Sequence, residues 1–129
     1  MQISDLKEWI QSTAFINLIS ALGTDNTNVD DFLDRRDSVT FEQKWLADFT
    51  LLEDVSYSAD QLKSIDSLRE ITFKVIYQCT QNSELASYLS DDMELIAKSF
   101  SQQQSEIWTI QHLWLYLWLC YQKGIDPTL

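Results

Sequence analysis

Residues 112–121 read HLWLYLWLCY, nine consecutive apolar residues behind the only histidine of the chain. Three structures compete for such a run: a membrane span, a buried strand, or the inner helix of a bundle. A bilayer core needs about 20 apolar residues in succession. The wider segment 107–121 already includes Thr109, Gln111 and His112, so it is too short to span. Leucine alternates with aromatic residues as on a strand, yet both alternating sets are apolar and separate no two faces. Helix punctuation flanks the run: Ser105 as N-cap, Glu106 in the first turn, Lys123 in the last, Gly124 as the stop and Pro127 beyond. At about 100° per residue, Ser105, Thr109, His112, Tyr116 and Lys123 share one sector of roughly 60°, and large apolar side chains cover the rest. A helix apolar on nearly all sides belongs inside a bundle, contacted by several neighbours. The segment is therefore expected to be the central helix; an apolar dimerisation surface is the competing reading.

The remaining composition points the same way. A chain of 129 residues can bury a core without metal or disulfide support. Two glycines and one proline leave little turn chemistry for a sheet protein, which wants a turn signal about every 8–12 residues. The expected fold is all-α: a single-domain bundle, 1–129, of five to six helices around the apolar C-terminal helix. Cys79 and Cys120 sit in apolar helical surroundings, as reduced cysteines do, and the N-terminal MQISDLKEWIQ has no basic-plus-apolar leader pattern. Both observations make the cytosol the expected compartment.

Working toward the N-terminus, Leu85, Leu89, Met93, Ile96 and Phe100 step by four, four, three and four, predicting one helix from Ser83, with Ser90 and two aspartates as a possible restart. Ser58 with Gln61 forms a capping box for a helix to about Thr80, with Leu62, Ile65, Leu68, Thr72, Val75, Ile76 and Cys79 as its inner line. Thr40 with Gln43 is the corresponding candidate box for a helix carrying Phe41, Trp45, Phe49 and Leu52. VDDFLDRR reads as one or two helical turns. A first helix is expected over 4–22, capped by Ser4 and ended by Gly23.

Catalytic and metal chemistry finds little support. The cysteines are 41 residues apart, outside any zinc spacing, and His112 lies two turns from Cys120, about 12 Å by helical rise. DNTNVDDFLD lacks the glycine of a calcium loop and puts Thr27 and Val29 at ligand positions. Walker A, GxGxxG and GxSxG patterns do not occur, and no carboxylate pair is singled out by spacing. The five tryptophans recur at helical spacing with other large residues, which marks core rather than a ligand cage. No enzyme, cofactor or metal is expected.

Charge is the informative feature. Twenty acids against nine Lys and Arg give −11, a balance that disfavours direct contact with nucleic acid or anionic membrane and favours a basic protein partner. Acids in first helical turns suit the helix dipole, which accounts for Asp5, Asp30, Asp31, Asp60, Glu84, Asp91, Asp92 and Glu106. Asp34, Asp37, Glu53 and Asp54 fall near helix C-termini, where each costs a few tenths of a kcal/mol on its own. Residues 25–54 hold nine acids against three cations, −6 of the −11. The bland reading is a solvated face with Asp37 as a cap; the sharper one is a protein-binding surface of Asp30, Asp34, Asp37, Glu53 and Asp54, with Tyr57 as an anchor beside them.

With its acid-rich DNTNVDDFLDRRD (25–37) and LLEDVSYSAD (51–60) beside IWTIQHLWLYLWLC (107–120), the chain resembles bacterial immunity proteins, the antidotes to nuclease toxins of contact-dependent growth inhibition and related systems. The resemblance implies a non-catalytic inhibitor whose acidic surface occludes a basic, phosphate-holding groove. It transfers no individual residue, because the paired-tyrosine segment of the helical colicin-DNase immunity family does not occur here. A DNA-mimic inhibitor of a host nuclease and a helical regulatory or adaptor subunit docking through an apolar face are the alternatives.

Overall fold

In the computed structural model, residues 3–23 and 26–101 are described, and six helices carry them: α1 (Ile3–Ile10), α2 (Thr13–Gly23), α3 (Asn26–Arg36), α4 (Val39–Glu53), α5 (Ala59–Thr80) and α6 (Ser83–Ser101). No strand occurs among the described residues. The expected all-α class is correct. The 107–121 segment assigned to the centre of the bundle lies outside the described residues, as do His112 and Tyr116.

The longest helices form the framework. Ser58 accepts from the Gln61 N–H at 3.1 Å while the Gln61 side chain accepts from the Ser58 N–H at 2.9 Å, so the expected capping box opens α5. At the other end Gln81 takes the left-handed conformation (φ 56°) and its N–H bonds the Tyr77 carbonyl at 2.7 Å. Asn82 then caps α6 by accepting from the Leu85 N–H at 2.9 Å. A two-residue connection folds α6 back against α5, and this pair makes the most extensive interface in the fold. Ile65, Leu68 and Ile76 of α5 meet Leu85, Leu89, Met93 and Ile96 of α6 in one core cluster. Each such side chain contributes about 1.5–3 kcal/mol by leaving water. Leu62, expected on the inner line of α5, is instead 45% exposed.

Ser90 does not restart the helix. Its hydroxyl donates to the Arg69 carbonyl of α5 at 3.0 Å, tying the hairpin together in mid-helix. Helices α1 and α2 pack on α5, adding Leu6, Ile10, Phe15, Ile19 and Leu22 to the core. Gly23 is needed there for space. A Cβ would meet the Cys79 carbonyl and Thr80 at 3.0 Å, so the end of α2 can approach α5 only without a side chain.

The expected single first helix is two. The Ser12 hydroxyl accepts from the Phe15 N–H at 3.2 Å and caps a new helix, breaking the first at Gln11 and Ser12. VDDFLDRR belongs to an 11-residue helix rather than one or two turns, because Val29, Phe32 and Leu33 are buried in the main core. The cap of α4 is Ser38, accepting from the Phe41 N–H at 3.3 Å, two residues upstream of the expected Thr40 box and one past Asp37.

Candidate functional site

Helix α4 lies on α6 along a narrow seam. Of its fifteen residues, Phe41 and Leu52 are buried. Leu52 forms a small cluster with Leu95, flanked by Trp45 and Phe49, whose rings stack at 5.5 Å. The Trp45 indole N–H donates to Asp92 at 2.8 Å, and Asp92 has no solvent exposure. Lys98 sits 6.0 Å from the Phe49 ring and 5.6 Å from the Tyr57 ring. Trp45, Leu52 and then Tyr57 meet Asp92, Leu95 and Lys98 in turn, so the two helices run in the same sense.

This seam sorts the sequence-predicted residues into two groups. Asp30 and Asp34 are exposed on α3, opposite the buried Val29, Phe32 and Leu33. Asp37 follows α3; its N–H bonds the Leu33 carbonyl at 2.9 Å, and its exposed carboxylate accepts from the Tyr88 hydroxyl at 2.9 Å. Glu53 ends α4 and Asp54 is its C-cap, both exposed. The length of α4, about 22 Å at ~1.5 Å per residue, separates the two groups. Among the described residues no ion pair holds any of these five carboxylates.

The described cations that do pair are engaged elsewhere. Arg69 reaches Asp91 at 2.7 Å and Glu94 at 3.3 Å, Lys98 reaches Glu94 at 3.5 Å, and Lys74 reaches Glu70 at 2.7 Å. The Lys74 ammonium, by hydrogen bond and by charge, holds the Glu70 carboxyl below its usual range. Asp91 and Asp92 are therefore not first-turn acids as expected: they lie inside α6, one bridging to α5 and the other buried under Trp45. Asp30 and Asp31 likewise fall beyond the first turn of α3.

Tyr57 is half-buried, its hydroxyl donating to the Leu52 carbonyl at 2.8 Å across the α4–α5 connection. Burial, and then the charge of Glu94, push its phenol above the ordinary tyrosine value. What the sequence reading missed is the outward side of α4. Val39 is 69%, Leu46 48% and Leu51 54% exposed. A groove of about 380 Å³ between α5 and α6 is lined by Asp66, Arg69, Glu70, Phe73, Lys74 and Ser90, with Arg69 and Lys74 already paired as above. No group of three His, Cys, Asp or Glu able to hold a metal occurs among the described residues, nor is any described helix long and apolar enough to cross a membrane.

A helical chain with acids concentrated on one region matches a known family along nearly its whole length: the model of immunity protein PIM1 covers residues 5–128. The chain belongs to that family. As a PIM1-family member it has an immunity role, and with that role comes a cognate toxin as its binding partner. Comparison with curated proteins gives no match.

Proposed function

We propose that the chain acts in the cytosol as a non-catalytic inhibitor of a nuclease toxin, occluding the toxin's basic groove with the acidic surface around α3 and α4. The observation that carries this reading is the state of the carboxylates. Asp30, Asp34, Glu53 and Asp54 are exposed and in no ion pair among the described residues, while Arg69, Lys74 and Lys98 pair with other acids. Asp34, Glu53 and Asp54 sit at helix C-termini, where the backbone dipole disfavours negative charge. A cationic partner reverses that penalty on docking. A nuclease must be cationic where it grips phosphates, so the same surface would exclude its substrate. Long-range attraction would raise the association rate by about 10–1,000-fold at low salt. Tyr57 borders this surface and braces the α4–α5 connection.

The test is co-expression with the cognate toxin domain. Wild-type chain should restore growth. Asp34→Lys with Asp54→Lys should bind the purified toxin more slowly and flatten the salt dependence of association, with thermal stability unchanged or slightly raised. Unaltered affinity in the double variant refutes the acidic surface.

A further inference from the structure

We propose that the outward stripe of α4, with Leu46 and Val39 as its apolar centre and Glu42 and Glu53 beside them, is the surface that seats the toxin, against a cationic face bearing an apolar notch. The inference rests on the immunity reading above and adds to it the part of the contact that charge does not supply.

At about 100° per residue, Val39, Glu42, Leu46, Thr50 and Glu53 project within roughly 80° of one another. All five are exposed. Trp45, Phe49 and Leu52, centred about 100° round the helix from this stripe, hold α4 to α6, and Phe41 on their side is buried. Three of the five large apolar side chains most exposed among the described residues lie on this one helix: Val39, Leu46 and Leu51. The other two, Leu62 and Tyr77, are on α5.

The surroundings determine which occupant fits. Asp37 precedes the α4 N-cap and Asp54 is its C-cap, so exposed carboxylates stand at both ends of the helix that carries the stripe. A second copy of this chain would bring the same acids against themselves. A basic protein surface would not. This layout, a few desolvated apolar anchors inside a charged rim, is how interfaces divide holding from steering. Rim carboxylates govern the approach, and Leu46 and Val39 govern release.

The experiment measures binding of the purified cognate toxin domain to the full chain and to two double variants. Val39→Gln with Leu46→Gln removes apolar surface without changing charge; Leu62→Gln with Tyr77→Gln does the same on α5. The first should raise the dissociation rate at least tenfold and leave the salt dependence of association as in wild type. The second should stay within twofold. Circular-dichroism melts identify any loss through misfolding, in which case Leu46→Ala, expected to weaken binding several-fold, replaces the double variant. Wild-type protection with unchanged release from the α4 variant overturns this inference and leaves the immunity reading standing, as does weakening confined to the α5 variant. Failure of the wild-type chain to bind or protect overturns both.

Discussion

Removing the indole donor of Trp45 tests whether one hydrogen bond secures α4. Trp45 Nε1 lies 2.8 Å from an oxygen of Asp92, a carboxylate with no solvent exposure. A hydrogen bond to a charged group is worth about 1.5–3 kcal/mol net, against ~1 for a neutral pair. Trp45→Phe keeps an aromatic ring to stack on Phe49 and deletes the donor, so a loss of about 2 kcal/mol is expected. With roughly 2.1 cal/mol/K of unfolding entropy per residue, that loss lowers Tm by about 7 °C. Both residues make further contacts, so the bond is best isolated by a double-mutant cycle of Trp45→Phe and Asp92→Ala. Urea unfolding followed by far-ultraviolet circular dichroism should give a coupling energy of about 2 kcal/mol. Hydrogen exchange should show α4 amides opening first in Trp45→Phe, ahead of α5 and α6. Additive losses, with coupling below about 0.5 kcal/mol, refute the reasoning.

Gly23→Ala places a methyl 3.0 Å from the Cys79 carbonyl and from Thr80, and should cost about 1–3 kcal/mol in urea unfolding because backbone cannot yield as a flexible side chain does. Gln81→Gly relieves a left-handed residue at φ 56° and should stabilise by up to about 1 kcal/mol, read as a higher urea midpoint at unchanged slope. Tyr57 should ionise above the ordinary tyrosine range: an ultraviolet titration of wild type minus Tyr57→Phe places its step later than that of a free phenol. Because the raised value favours the protonated native state, its contribution to stability is present at neutral pH and is lost as pH rises through the folded value.

The frame was readable wherever the signal is local and long. Helix α5 announces itself through its capping box, Ser58 with Gln61 giving its start to the residue, and α6 through an unbroken step of four and three from Leu85 to Phe100. The break between α1 and α2 was hidden because the apolar pattern continues past it; Ser12, a good N-cap inside that pattern, was the available sign. The α3 segment is polar enough to suggest only one or two turns, and burial of Val29, Phe32 and Leu33 outweighs that weak propensity. Asp92 was read as a first-turn acid although its spacing, three after Leu89 and four before Ile96, sets it on the buried line. The individual acids of the candidate surface were legible as residues at helix ends. Their separation by the length of α4, and the apolar stripe between them, depend on how α4 rolls on α6, which no local pattern records.

The shallow seating of α4 divides the labour of the chain. The side facing α6 carries the attachments, and the side facing outward carries almost nothing the hairpin needs. Residues such as Val39, Leu46 and Glu53 can therefore be exchanged without reopening the interior. A lineage that must answer a changing adversary could then revise one exposed rail of a single helix, leaving the scaffold beneath it as it stands.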